Sequence, residues 1–140
     1  MSGIVGLAYP VLAQILLTFV LLFATGRHRV GAIRAGRVRV PDIALDSRKW
    51  PDDVLKISNN MHNQFETPVL FYVLCGLAAG LGMAGTLMIV LAWLFVASRV
   101  AHTYIHVTSN HVRKRFMAFA FGVVILLAMW VLIVFNLLVP

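Results

Sequence analysis

Two short polar stretches interrupt an otherwise apolar chain, and both hold residue types that bind or activate a polar ligand. In "NNMHNQFETPVLF", residues 59–71, the side chains Asn59, His62, Asn63 and Glu66 recur at i, i+3, i+4 and i+7. On one helix that spacing gives them a common face. In "SRVAHTYIHVTSNHVRKR", residues 98–115, Arg99, His102 and His106 follow at i, i+3 and i+7, with Arg113, Lys114 and Arg115 just beyond. Glu66 and Arg99 are the only acid and guanidinium inside the apolar runs. Burying either unpaired costs several kcal/mol on the order expected for membrane interiors. An ion pair between them would fix helix register. Such a pair leaves His62, Asn63, His102, His106 and Arg115 at the same depth unexplained, and their convergence points to a polar pocket.

His102 and His106 are four apart, which suits two ligands of one metal. No further ligand is suitably spaced, so no metal is expected. Cys75, the only cysteine, excludes an intrachain disulfide and reads as packing.

The elements that position these residues follow from composition. Of 140 residues, 61% are hydrophobic and 12% charged, more apolar surface than a water-soluble domain buries. An all-α, integral membrane four-helix bundle of one domain, 1–140, is expected. Residues 4–25 and 116–139 are uncharged runs of spanning length. The first lacks a basic n-region and a small-residue cleavage site, so it reads as a helix rather than a signal. Residues 67–98 are too long for one span, and the glycines of "GLAAGLGMAG" divide them at a tight turn near 80–85. The two arms become 60–79 and 86–106. Between the first two helices lies a loop, 26–58, whose "DSRKWPDD" marks a helix start, with Pro51 at the first position and Asp52 and Asp53 at the positive end of the dipole. If that helix continues into the second span, Pro68 bends it and frees a carbonyl near Gln64.

Eight of the twelve Lys and Arg residues lie in the first loop and three between the last two helices, with none in the hairpin turn. The positive-inside rule puts both basic loops in the cytoplasm and both termini outside. The expected location is multi-pass, in a bacterial inner membrane. The net charge of +7 is accounted for by this topology, with anionic lipid or an anionic ligand as the remaining role. Interleaved aromatics and patterned phosphate contacts are missing, so no nucleic acid is expected as a partner.

"NNMHNQFETP" together with "RVAHTYIHVTSNHVRKR" resembles the MAPEG family, membrane-associated proteins in eicosanoid and glutathione metabolism. The resemblance extends to "YPVLAQILLTF" and the basic loop. "RVAHT", residues 99–103, is similar to the same stretch in the family's prostaglandin-synthesising members. Family members are four-helix membrane proteins that form trimers and bind glutathione at the cytosolic side, between subunits. The resemblance therefore implies a homotrimer, glutathione as co-substrate, and a lipophilic small molecule arriving through membrane lipid.

Carried over residue by residue, Asn63 and Glu66 occupy the N-x-x-E positions that hold the glutathione backbone and amino group. Arg99 and His102 match the start of the family's helix-three motif, and Arg115 falls where an arginine activates the thiolate, with Arg113 as the fallback. Two positions depart from the pattern. Asn59 stands where glutathione-using relatives have an arginine, and His106 where they have a tyrosine. Both stay in the expected glutathione-binding set, with His62, Arg27 or Arg29 supplying the missing charge. The implied activity is glutathione transfer to a lipophilic electrophile, or glutathione-dependent peroxide reduction. A non-catalytic lipid-binding or scaffold member of the family is the competing class. A polar cluster that only stabilises the trimer is the third.

Overall fold

The computed structural model describes residues 2–139, and among them the secondary structure is helical throughout. Helix α1 spans Ser2–Arg34, 33 residues or about 50 Å at 1.5 Å per residue, well beyond a hydrocarbon core of about 30 Å. It continues nine residues past the expected end at Thr25, because nothing in "GRHRVGAIR" stops a helix. The stop comes at Gly36, whose φ of 66° lies in the left-handed region. There the N–H of Gly36 donates to Ile33 O and that of Arg37 to Ala32 O, satisfying the last carbonyls. One stripe of α1 is buried: Leu7, Gln14, Leu21, Thr25 and Ala32. These sit at intervals of seven or four, the seam a helix presents to its neighbours.

Much of the expected first loop is ordered as short helices. Helix α2 is Val40–Ile43, a 3-10 turn occupies Ser47–Lys49, and α3 runs Asp52–His62 along α1. The second expected span is broken rather than bent. A 3-10 turn at Asn63–Phe65 and an irregular Glu66, φ −99° and ψ −100°, separate α3 from α4, Thr67–Gly80. The cause is Pro68. Its ring clashes with the carbonyl four residues back and it has no N–H to donate, so the ladder is cut at Gln64 and restarts with Pro68 in the first turn of α4. The break also separates the polar face expected along 59–66: Asn59, His62 and Glu66 are exposed and Asn63 is half-buried.

Glycine closes the hairpin as expected. Gly82 has φ 72°, and Met83 N–H donates to Ala78 O at 2.7 Å. Helix α5, Thr86–Val107, then returns against α1, and α6, Val112–Leu138, packs along α5. A Cβ added at Gly122 of α6 would lie 2.7 Å from Ser98 Oγ, so these two helices approach closely enough that any side chain there would have to displace the Ser98 hydroxyl. The shared core is built on Phe71 and Phe95, stacked at 4.6 Å, with Leu74, Ala78, Met88, Ala92, Ile125 and Met129 around them. Cys75 is part of this core.

Outside, the sorting is inverted: Leu16, Phe23, Val124, Phe135 and Leu138 are exposed. Helices α1, α5 and α6 are each long and apolar enough to cross a membrane. The 14 residues of α4 are too few to do so alone.

A buried amide pair ties α1 to the break. Gln14 Nε2 donates to Gln64 Oε1 at 2.9 Å, and Gln64 Nε2 donates to Asn60 O at 3.2 Å, taking up a carbonyl in the last turn of α3. Gln14→Leu should destabilise the protein by stranding Gln64, whereas Gln14→Leu with Gln64→Leu should cost less than the sum of the single changes. The coupling expected from membrane proteins is about 0.6–1.7 kcal/mol. Unfolding in mixed detergent micelles measures it, and strict additivity would mean the amides do not act as a pair.

Candidate functional site

The C-terminal half of α5 carries the site. Arg99, His102 and His106 are 1%, 3% and 3% exposed, so the face expected from their spacing is buried in full. It meets the end of α3, the 3-10 turn and the start of α6.

His102 is the hub. Its Nδ1 lies 3.1 Å from Arg115 O, which can only accept, so Nδ1 carries the proton. Nε2 then accepts from Asn63 Nδ2 at 3.3 Å. A neutral imidazole meets both partners, and the ring joins the break to the N-terminal turn of α6. Arg99 donates through one Nη to Asn63 O at 3.1 Å, while its Nε and other Nη have no partner. The expected ion pair with Glu66 does not form among the described residues. Glu66 is exposed at the break and forms no ion pair with the guanidinium. Breaking the helix turned the carboxylate away. Thr103 Oγ1 donates to Asn60 Oδ1 at 3.4 Å and closes the interior network.

Beside this network opens a pocket of about 260 Å³, lined by Asp52, Lys56, Asn59, His106, Asn110 and Arg115, with Leu55. Arg115 donates to Asn110 Oδ1 at 2.7 Å, and Asn110 takes φ 49°, a left-handed conformation asparagine tolerates, so the α5–α6 turn presents its amide to the arginine. His111 caps α6 by accepting from the backbone N–H of Lys114.

The expected residues therefore divide three ways. Asn59, His106 and Arg115 line the pocket. Asn63, Arg99 and His102 form the interior network next to it. His62, Glu66 and Arg113 are exposed and outside both. Sequence reasoning passed over Asp52, Lys56 and Asn110. Asp52, Lys56 and Asn59 stand at i, i+4 and i+7 of α3, a signal that was legible. No three His, Cys, Asp or Glu side chains converge among the described residues.

Charge at this end is uneven. Arg37 donates to Asp53 at 3.0 Å and holds its carboxyl down to about 2, while Arg48 bonding keeps Asp46 below the usual carboxylate range. Arg39 pairs with Asp42 at 2.8 Å, and Arg29 lies over Trp50 at 5.4 Å. Three of the five acids are thus already neutralised within the loop, while Lys56 and Arg115 at the pocket form no ion pair among the described residues. Anionic solutes are favoured there.

The MAPEG family model matches residues 7–135. The chain belongs to the MAPEG family. The match covers every residue of the pocket and of the interior network, and with three spanning helices it makes the chain an integral membrane protein. MAPEG membership suggests membrane-bound, glutathione-related transferase or isomerase chemistry. No curated protein and no solved structure matches the chain.

Proposed function

We propose that this MAPEG chain is a glutathione-dependent transferase or peroxidase acting on a lipophilic electrophile, with both basic loops in the cytoplasm and both termini outside. The observation that carries the reading is that Lys56, Asn59, His106, Asn110 and Arg115, from α3, α5, the turn and α6, line one pocket. Lys56 and the two amides suit the carboxylates and peptide groups of glutathione, and Asp52 suits its ammonium. At about 260 Å³ the pocket takes one end of the tripeptide rather than all of it. The cysteinyl sulfur belongs beside Arg115, because a neighbouring cation favours the thiolate over the thiol.

The electrophile comes from lipid. An apolar groove of about 430 Å³ between α4 and α6, lined by the exposed side chains of Leu70, Val73, Leu77, Val123, Leu127 and Trp130, offers it a surface. In this reading α3 and α4 together make the fourth crossing. A homotrimer covers Glu66 and His62, since an exposed carboxylate at the edge of the hydrocarbon needs a polar neighbour. Glu66 then reaches the ligand from the adjacent copy.

A thermal-shift titration of detergent-purified protein with glutathione tests the reading. A ligand that binds the folded state at about 100 times its Kd adds about 2.7 kcal/mol, so the midpoint should rise with concentration. Asn59 and His106, at positions where relatives carry arginine and tyrosine, give the second reading its footing: a lipid-binding member without chemistry. No rise with glutathione, and a rise with phospholipid, would replace the first reading with the second.

A further inference from the structure

We infer that His106 is the base that takes the thiol proton in this site, an inference that rests on glutathione being the ligand. His106 differs from the other imidazole of α5 in one respect. Both ring nitrogens of His102 are engaged, to Asn63 and to Arg115 O, so it has no free lone pair to offer. His106 is 3% exposed, its Nδ1 is buried with no partner, and the residue lines the pocket together with Arg115. A buried imidazole with an unmet ring nitrogen, set at the wall of a polar pocket, is placed for proton exchange with whatever fills it.

The surroundings set a cation beside that base. Asp52 and Lys56 face the pocket from α3, Arg115 from α6, and His102 stands edge-on to His106 at 5.7 Å, with Arg99 a turn further along α5. A neutral imidazole carries a lone pair on its unprotonated ring nitrogen and can accept a proton there. Arg115 has no lone pair and can only stabilise charge. Its hydrogen bond to Asn110 holds it for that task. Two separate needs of thiol activation, a proton acceptor and a cation, are thus met by two neighbouring residues.

The step balances. The S–H bond of glutathione breaks, its proton passes to a ring nitrogen of neutral His106, and the electron pair stays on sulfur as a thiolate facing Arg115. When sulfur adds to the electrophile, the imidazolium returns the proton to the electrophile atom that gains the electron pair.

The test uses the whole detergent-purified protein, glutathione, and S-methylglutathione as a ligand with no thiol proton. Thiolate is read by ultraviolet difference absorbance, and proton exchange by titration calorimetry in two buffers of different ionisation enthalpy. Wild type should form thiolate without releasing a matching proton to buffer, since His106 retains it, and S-methylglutathione should bind with no proton exchange. His106→Gln should still bind glutathione but lose thiolate about tenfold, equivalent to one unit in the pKa of the bound thiol. Thiolate in wild type accompanied by a full proton released to buffer overturns the inference without reference to any variant. Equal thiolate in wild type and His106→Gln does the same. Glutathione that fails to bind wild type sinks the transferase reading itself, and this inference with it.

Discussion

Arg115→Leu should bind glutathione with little loss and leave its thiol protonated. Arg115 is the first-turn arginine of α6 that lines the pocket, and its side chain is steered there by Asn110 at 2.7 Å. Arg113, two residues earlier, is exposed and outside the pocket, so it cannot substitute. Lys56 and the uncompensated charge around it continue to draw the anionic tripeptide. The charge facing the sulfur is lost. Removing one preorganised stabilising group from a developing anion typically costs about 10²–10³ in kcat. Difference absorbance of bound glutathione should therefore lose its thiolate band, with turnover falling by that factor and KM for glutathione nearly unchanged. A variant that binds and still shows the full band would remove Arg115 from the chemistry.

His102→Leu should reduce both stability and thiolate formation, although His102 touches no ligand in this arrangement. The ring holds Asn63 on one side and Arg115 O on the other, at 3.3 and 3.1 Å. Leucine leaves the Asn63 amide without its acceptor, at about 1–3 kcal/mol for a buried polar group, and unties the turn of α6 that carries Arg115. His102→Gln discriminates this positioning role from a protonic one. Glutamine offers an N–H for Arg115 O and a carbonyl for Asn63, so it should recover most stability and thiolate with an unchanged pH profile. Were His102 to exchange protons with the ligand, glutamine would fail as leucine does.

Much of this organisation is legible in local sequence. Uncharged runs, the glycines at 80–85, and the distribution of arginines specify a helical membrane protein with its polar groups at the basic end, because hydrophobic partition depends on composition alone. The i, i+3, i+7 spacing of Arg99, His102 and His106 specified a shared face, and all three are buried on it. Helix geometry is local, so spacing within one unbroken helix is enough.

Partnership across helices was not legible, since it depends on how segments rotate about the break. Pro68 announced the break near Gln64, but not that the chain would pass through a 3-10 turn from Asn63 to Phe65 before restarting, nor which way that turn would send its side chains. That choice carried Glu66 outward and handed Arg99 the Asn63 carbonyl in its place. It also set Gln64 against Gln14, two amides fifty residues apart whose pairing no local pattern contains. Lys56 reached the pocket for the same reason: α1 extended to Arg34 and gave α3 a surface to lie on. Residue types and their spacing along each helix came from the sequence. Which of them face one another came from the tertiary structure, because a hydrogen bond needs its two ends within about 3 Å, and only the packed bundle sets that distance.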